Sequence, residues 1–319
     1  MPSEFDLIRR HFTRATRHTD LAGGDDAALL RAQAGMQLAV STDMLVAGTH
    51  FLADTDPEDL GWKTLAVNVS DLAAMGATPR WAFLALALPG ADETWIAAFA
   101  RGLFACADAH GVDLAGGDTT RGPLTLSVTI IGELPRGEAI TRAGGRAGDD
   151  LWVSGQPGMA ALGLAALRDE AQLCPAGRAA CIAALQRPQP RAALGLALRG
   201  IATAMLDVSD GLLGDLGHIL ECSGTGAIID VGALPLAALR ETGADEALAQ
   251  RCLLGGGDDY ELLFAAPAAR RADVEALSAR LGLKLHRIGE LTAEAGELWL
   301  RQREGRLVPA TRSGYDHFG

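Results

Sequence analysis

Residues 56–77 read DPEDLGWKTLAVNVSDLAAMGA and carry the signals of a helix start and a helix end. Asp56 is a suitable N-cap, Pro57 suits the first helical position, and acidic residues follow in the first turn. Gly76 can supply the left-handed residue that ends such a helix, which we expect to reach Met75. The stretch therefore predicts one long and largely apolar helix.

One carboxylate interrupts this apolar helix. Lys63, Val67 and Asp71 are spaced four residues apart, so their side chains share one face. An acid on an otherwise apolar helix requires a partner or a ligand that explains its presence. Other acids in a similar setting occur along the rest of the chain.

Aspartate stands beside glycine, serine, threonine or a second aspartate at the margin of an apolar run six times. Small neighbours let the backbone and a ligand approach closely, and short acids are hard oxygen ligands. Two carboxylates about 4 Å apart repel by roughly 4 kcal/mol at an effective dielectric constant of about 20, so a fold that gathers several requires cations. The motifs predict magnesium and, with it, phosphate. They are Gly24-Asp25-Asp26, Ser41-Thr42-Asp43, Val69-Ser70-Asp71, Gly116-Gly117-Asp118-Thr119-Thr120, Asp207-Val208-Ser209-Asp210-Gly211 and Gly256-Gly257-Asp258-Asp259.

Each of these motifs has an ordinary structural explanation when it is taken alone. Gly-Asp and Asp-Gly pairs mostly mark turns, and Ser-Asp before a helix is mostly an N-cap. Their recurrence where apolar elements meet glycine-rich turns favours a binding function, because ligands of α/β folds bind at such edges. Magnesium bridges carboxylates to substrate phosphates and neutralises charge on a transferred phosphoryl group.

The composition limits the classes of partner. The chain has 319 residues, enough for about two domains, and a formal net charge of −12, which makes nucleic acid a poor partner. Its lysines are Lys63 and Lys284, and neither stands in a P-loop motif. A bound nucleotide must therefore be held by metal, arginine and backbone amides.

The cysteines and the chain start indicate a cytoplasmic protein. The five cysteines lack C-x-x-C spacing, which is typical of reduced structural thiols and argues against zinc. The first residues do not resemble a signal peptide, and we expect no membrane span, because the most apolar stretch, residues 81–88, is too short.

Two local predictions concern the acidic motifs directly. A strand over residues 36–41 is expected to end at a turn formed by Thr42 and Asp43. A strand near residues 205–208 is expected to meet a helix that opens at Ser209 and Asp210.

Several polar residues are candidates for holding phosphate. The backbone N–H groups of Gly116 and Gly117 could form an anion-binding nest. Arg121 and Arg142 are candidate phosphate clamps, and the alternative of a solvated surface arginine is stronger for Arg121. His50 follows an acidic motif and suits either a substrate phosphate or an ordinary turn.

The order of the motifs resembles the thiamine-monophosphate kinase family, within the superfamily of aminoimidazole-ribonucleotide synthetase-like ATP enzymes. The resemblance covers essentially the whole chain. The matching segments are FDLI (5–8), GDDAALL (24–30), STDMLVAGTHF (41–51), KTLAVNVSDLAAMGA (63–77), GGDTTRG (116–122), DVSDGL (207–212), GGDDYEL (256–262) and GYDHF (314–318).

The resemblance implies an α/β (α+β) chain with a two-domain PurM-like fold. Residues 1–140 are then an N-terminal domain that binds ATP and Mg²⁺ and forms a β-barrel shared across a homodimer. Residues 141–319 are a C-terminal α/β domain that completes the substrate site. A polar, glycine-rich segment over residues 136–150 is consistent with a division there.

The implied activity is transfer of the ATP γ-phosphoryl group to thiamine monophosphate, which gives thiamine diphosphate and ADP. Several Mg²⁺ ions and no phosphoenzyme are expected. The alternatives are a metal-dependent phosphatase, another ATP enzyme of the same superfamily, and a nucleotide or metal sensor without catalysis.

The resemblance also assigns roles to individual residues. Among them Asp43, Asp118 and Asp210 are expected to be catalytic. Positions that contact ATP are Gly117, Asp118, Arg142 and Ser209; positions near thiamine phosphate are His50, Asp258 and Tyr315. The metal ligands are Asp26, Ser41, Thr42, Asp43, Asp71, Asp118, Asp207 and Asp210, with Ser41 or Thr42 acting through backbone oxygens.

The chain departs from the family pattern at two positions. Asp258 stands where relatives often have glutamate, so its carboxylate is one methylene shorter. His110 replaces a frequent tyrosine near the expected adenine site, which leaves the residue that stacks on the base unassigned.

Overall fold

A computed structural model describes residues 4–310 of the chain, with side chains from residue 6 onward. These residues form two compact units. The first contains the described residues up to Leu72 together with Ala77–Gly137, and the second contains Ala73–Gly76 and the described residues from Glu138 onward. None of the described helices is long and apolar enough to cross a membrane.

The first unit is built on a four-stranded sheet. Its strands follow the order β3-β6-β4-β5, with β4 and β5 parallel and the other neighbours antiparallel, and they do not close into a barrel within the described residues. The elements are α1 (Glu4–His11), β1 (Thr19–Leu21), β2 (Leu29–Leu30), β3 (Met36–Val46), α2 (Pro57–Ala74), β4 (Thr78–Leu88), α3 (Glu93–His110), β5 (Asp113–Arg121) and β6 (Thr125–Pro135).

Helix α2 confirms the signals at both of its predicted ends. Asp56 Oδ1 accepts the backbone N–H groups of Glu58 and Asp59 at 2.8 and 3.2 Å. Gly76, two residues beyond the last helical residue, has a φ of 64°. The helix is almost wholly buried, which explains its apolar composition.

The predicted turn at Thr42 and Asp43 is wrong. Strand β3 continues through both residues to Val46 and pairs with β6 at every position from Met36 to Val46. A complete ladder of cross-strand hydrogen bonds and side-chain contacts outweighs the turn preference of serine, threonine and aspartate.

The continuous strand sends its side chains to opposite faces. Asp43 and Leu45 lie on the more buried face, whereas Val40 and Met44 are 61% and 56% exposed on the other. Strand alternation therefore directs the side chain of Asp43 to the more buried face of the sheet.

Helices α2 and α3 cross in close contact at two glycines. A methyl group on Gly61 would overlap the backbone oxygen of Phe99, and one on Gly102 would overlap that of Glu58. The backbones can approach this closely because both positions lack a side chain.

We predict that Gly102→Ala destabilises the protein by about 3 kcal/mol, because the added methyl group must push the two helices apart. Urea denaturation measures the change in the free energy of unfolding. Gly90→Ala is the control, since a Cβ at Gly90 meets no atom within 4 Å. Equal stability of the two variants would contradict the crossing.

The second unit is a seven-stranded sheet with helices on both faces. The strand order is β13-β12-β9-β11-β7-β10-β8. Its elements are β7 (Asp149–Ser154), α4 (Met159–Leu167), α5 (Pro175–Gln186), α6 (Ala192–Ala197), β8 (Ala204–Asp207), α7 (Leu212–Ser223), β9 (Gly226–Asp230), α8 (Leu236–Glu241), α9 (Glu246–Gly255), β10 (Leu262–Pro267), α10 (Arg271–Leu281), β11 (Leu285–Thr292), β12 (Leu298–Arg301) and β13 (Leu307–Pro309).

Alternate side chains of the central strands pack into two apolar cores, one on each face of the sheet. Leu151 and Val153 of β7 pack in one cluster with α4, α7, α8 and α9, whereas Trp152 packs in the other with α6 and α10. Because both faces are covered, the central strands are continuously apolar, and polar residues appear where the strands end.

Candidate active site

The first unit brings three of the predicted metal-binding residues together. Ser41 Oγ donates a hydrogen bond to Asp71 Oδ2 at 2.5 Å, and the carboxyl groups of Asp43 and Asp71 are hydrogen-bonded to each other. Burial, the charge of Asp71 and this hydrogen bond raise the pKa of Asp43 to about 7. The two carboxyl groups therefore share a proton near neutral pH when no cation is bound.

This contact explains the acid on the apolar helix. Asp71 of α2 faces strand β3, where alternation presents Ser41 and Asp43 on the same side. Two oxygen-rich side chains in a half-buried position suit a hard divalent cation, which would replace the shared proton. The pair is the best-formed candidate for magnesium among the described residues.

Thr42 points away from the acid pair. Its hydroxyl is hydrogen-bonded to the Thr129 hydroxyl at 2.9 Å, and the side chain is exposed on the opposite face of β3. A role for Thr42 as a metal ligand thus depends on its backbone oxygen.

A second group of predicted residues lies at the other edge of the sheet. Gly117 and Asp118 lie on β5, and Asp118 is exposed. Gly23 approaches Gly116, since a Cβ on Gly23 would lie 3.9 Å from Gly116 Cα, so the loop that carries Asp26 adjoins this part of β5.

The two groups do not meet within one copy of the first unit. The register aligns Asp43 with Val128, Val128 with Leu84, and Leu84 with Gly117. Three strand spacings separate the ends of this row by about 14 Å along the sheet. Among residues 6–310, no three His, Cys, Asp or Glu side chains are arranged to hold one metal ion.

His50 lies in the turn after β3, and its tautomer is fixed by the backbone. The N–H group of Val46 donates to His50 Nδ1 at 3.0 Å. Since Nδ1 accepts this bond, the neutral ring carries its proton on Nε2, which is a hydrogen-bond donor. Such a donor suits a phosphate oxygen.

In the second unit, the end of β8 and the loop after it carry three of the predicted residues. Asp207 ends the strand and is buried, and Ser209 and Asp210 follow. Helix α7 begins only at Leu212, so the prediction that it opens at Ser209 and Asp210 is wrong.

Asp215 holds this loop in place of a continued helix. Its Oδ2 accepts the N–H groups of Ser209, Asp210 and Gly211 at 3.0, 3.0 and 3.2 Å. Burial, together with the charge of Asp210, raises the pKa of Asp215 to about 6 against the opposing effect of the three N–H groups. Gly211 has a φ of 119°, which breaks the helical path.

The GGDDYE motif at residues 256–261 sends successive side chains to different partners. Tyr260 donates from its hydroxyl to Asp258 Oδ1 at 3.0 Å. Asp259 accepts the Gly158 N–H at 2.7 Å at the start of α4, and burial raises its pKa well above the ordinary range.

Glu261 completes the motif as the most firmly bound of its acids. It is buried and forms two hydrogen bonds with Arg191, at 2.7 and 2.5 Å. Ser154 Oγ donates to the same carboxylate at 2.5 Å. An arginine–carboxylate pair with this many donors fixes the loop before β10, which carries Asp258.

Arg142 and Ser209, both expected to contact ATP, lie at opposite ends of α7. Ser223 Oγ donates to the Arg142 backbone oxygen at 3.0 Å and accepts the Gly145 N–H at 3.1 Å. Ser223 is the last residue of this 12-residue helix, which is about 18 Å long. A ligand that contacts both residues must extend along the helix or be met by the long Arg142 side chain. Tyr315 lies outside the described residues.

Sequence reasoning missed the residues that hold the site in shape. Asp215, Asp259, Tyr260 and Glu261 act through hydrogen bonds that exist only after folding. Their position in the sequence could have identified them, because each is a polar residue within or shortly after a predicted acidic motif.

Family profiles cover most of the chain. The profile of the AIR synthase related protein N-terminal domain matches residues 24–134, and that of the C-terminal domain matches residues 146–300. The thiamine-monophosphate kinase of Salmonella typhimurium is 46% identical over 319 residues, which cover 99% of this chain and 98% of the relative.

The chain belongs to the thiamine-monophosphate kinase family, within the AIR synthase related proteins. The crystal structure of a family member from Stenotrophomonas maltophilia has a TM-score of 0.85 at 46% identity and covers 95% of each chain. The complex of AaThiL with AMPPCP and TMP has a TM-score of 0.77 at 30% identity, with 92% of this chain and 91% of that chain covered. The mixed α/β two-domain fold of the family is thereby confirmed.

We predict that Asp43→Asn raises the unfolding temperature relative to the parent without magnesium and abolishes the rise that magnesium causes in the parent. In EDTA at pH 8 the variant should unfold about 2 °C or more above the parent, because the amide removes like-charge repulsion and still donates to Asp71. Added Mg²⁺ should raise the unfolding temperature of the parent but not of the variant.

The exposed Asp54→Asn serves as the control for loss of one surface charge. It should leave both the unfolding temperature in EDTA and the Mg²⁺ response near those of the parent. Equal Mg²⁺ stabilisation of Asp43→Asn and the parent would exclude Asp43 as a ligand.

Proposed function

We propose that this protein transfers the γ-phosphoryl group of ATP to thiamine monophosphate and releases thiamine diphosphate and ADP. The observation that carries the proposal is 46% identity to a thiamine-monophosphate kinase over 99% of the chain. The AaThiL complex supports both substrates, since it holds AMPPCP, an ATP analogue, together with TMP. ATP is a co-substrate in this proposal.

We further propose that the chain binds several Mg²⁺ ions. The donor set fits them, because the Asp43–Asp71 pair offers hard oxygens at a position where two acids otherwise share a proton. Asp26, Asp118, Asp207 and Asp210 would supply the other side-chain oxygens, with Ser41 or Thr42 contributing backbone oxygens. Bound Mg²⁺ would neutralise charge on the transferring phosphoryl group.

The acceptor needs little chemical activation by the protein. A phosphate oxygen of thiamine monophosphate is already ionised near neutral pH, so no general base is required. This oxygen forms a bond to the γ-phosphorus while the bond to the β–γ bridging oxygen breaks, and that oxygen leaves as part of ADP. The transfer is direct, without a phosphoenzyme, and the protein contributes mainly position and electrostatics.

The remaining predicted residues orient the two substrates in this proposal. His50 would donate from Nε2–H to a phosphate oxygen of thiamine monophosphate, and Asp258 would offer a negative charge to the cationic thiazolium ring. Tyr315 would flank a ring of the same substrate. Gly117, Asp118, Arg142 and Ser209 would hold the nucleotide.

Incubation of the purified protein with Mg-ATP and thiamine monophosphate should produce thiamine diphosphate. Absence of product above a heat-inactivated control would reject the kinase. Release of phosphate from thiamine diphosphate without ATP would favour the metal-dependent phosphatase instead.

Asp43→Asn and Asp118→Asn should each lower kcat at least about a hundredfold, because each removes a charge that holds the ions at the reacting phosphates. The steady-state rate of thiamine diphosphate formation measures the effect, and Asp54→Asn should retain the parental rate. Near-normal turnover of both variants would reject the metal assignment.

The homodimer and its shared barrel are part of the proposal. One face of edge strand β3 exposes Leu38, Val40 and Met44, which are 48%, 61% and 56% exposed. An edge strand with an uncovered apolar face is an association surface. Two open four-stranded sheets that join at this face would produce a barrel, with the first domain as the dimerisation domain. Cytoplasmic location stays a prediction.

We predict that Val40→Glu converts a dimer into a monomer, because it places a charge in the centre of the proposed interface. Sedimentation velocity measures the change. Leu307→Glu is the matched control, since Leu307 is 45% exposed in the second unit. A monomeric parent, or an unchanged Val40→Glu variant, would contradict this interface.

A further inference from the structure

Tyr260 contacts the residue expected to meet thiamine phosphate. Its hydroxyl donates to Asp258 Oδ1 at 3.0 Å, and the residue is only 9% exposed. We propose that Tyr260 is a positioning residue, whose hydroxyl holds the Asp258 carboxylate in the orientation that receives thiamine monophosphate. The inference rests on the proposed function and adds to it a residue with no assigned role.

The backbone at both residues is unusual. Asp258 and Tyr260 have φ values of 68° and 52°, in the left-handed region that residues with side chains rarely adopt. Such conformations persist where the surrounding structure determines them, and they cluster at ligand-binding sites. The surroundings of Asp258 and Tyr260 therefore hold both residues in a conformation that their residue types do not favour.

Two backbone hydrogen bonds tie this segment to the loop after β8. The N–H of Asp258 donates to the Ser209 backbone oxygen at 2.8 Å, and the N–H of Tyr260 donates to that of Val208 at 2.9 Å. Asp258 is thus one hydrogen bond away from the residue expected to contact ATP. This arrangement fixes the position of Asp258, which is expected to contact thiamine monophosphate, relative to Ser209, which is expected to contact ATP.

The intervening residues anchor the segment elsewhere. Asp259 is bound at the start of α4, and Glu261 is bound to Arg191 and Ser154. With the backbone held on these sides, the remaining freedom of Asp258 is mainly that of its short side chain. The Tyr260 hydroxyl restricts this freedom directly.

Tyr260→Phe removes only the hydroxyl. We expect kcat/KM for thiamine monophosphate to fall about tenfold, the size of one hydrogen bond to a charged group, while KM for Mg-ATP changes less than about twofold. An equal loss for both substrates, or no loss, would overturn the inference.

Thr242→Val is the matched control. It removes another buried hydroxyl of the second unit, one that donates to the Leu239 backbone oxygen at 2.5 Å and contacts no predicted site residue. Its kinetic constants should stay near the parental values. A similar tenfold loss in this control would show that removal of any buried hydroxyl explains the effect, and would overturn the inference.

A double-mutant cycle tests whether Tyr260 acts through Asp258. In the Asp258→Ala background, Tyr260→Phe should cause no further loss, because the bond it removes is already absent. A second tenfold loss in that background would show that Tyr260 acts by another route.

Hydrogen exchange gives a readout that does not need catalysis. The amides of Asp258 and Tyr260 should exchange at least about tenfold faster in Tyr260→Phe than in the parent and in Thr242→Val. Unchanged exchange would overturn the positioning role even if the kinetics change. A parent that forms no thiamine diphosphate would reject the proposed function, while the exchange result would still decide the role of Tyr260.

Discussion

Carboxylates repel each other when they are brought together away from water, and this constraint governs how the protein arranges its acids. In the first unit, Asp43 and Asp71 meet in a half-buried position, which raises the pKa of Asp43 to about 7. The arrangement is less favourable than an apolar contact unless a cation joins it. The strand and the helix that carry these acids are accordingly placed for a ligand, and the buried apolar face of α2 supplies the stability that the acids do not.

The second unit meets the same constraint with fixed donors. Three backbone N–H groups converge on Asp215, two approach Asp259, and a guanidinium group pairs with Glu261. These acids are held by groups of the protein itself. Asp207 ends β8 beside them, and Asp210 lies in the loop between β8 and α7. Asp215, Asp259 and Glu261 shape the loops, and Asp207 and Asp210 are metal ligands in the proposed function.

The sequence predicted those features that depend on local chemistry. The N-cap at Asp56 and the left-handed Gly76 are properties of a few adjacent residues, and both are confirmed. Thr42 and Asp43 were predicted as a turn because their local preference was considered without the partner strand, which lies over 80 residues away in the chain.

The geometry of the candidate site was beyond the reach of the sequence for a similar reason. The motifs predicted that the acids converge, without singling out the Asp43–Asp71 pair that the structure brings together. The separation of Asp43 from Asp118 follows from strand order, which motif spacing does not encode. The separation of Arg142 from Ser209 likewise follows from the placement of Ser223 at the far end of α7. The supporting role of Asp215 depends on a turn of backbone that its own residue type does not specify.

The alternation within residues 256–261 has a consequence for how this protein can change over evolution. Asp258 and Asp259 are chemically identical neighbours, yet one is held by a tyrosine hydroxyl and the other receives the amide at the start of a helix. Loss or gain of one residue here would exchange their surroundings and turn Glu261 away from Arg191. Insertions and deletions within this hexapeptide should therefore be selected against in descendants of this chain.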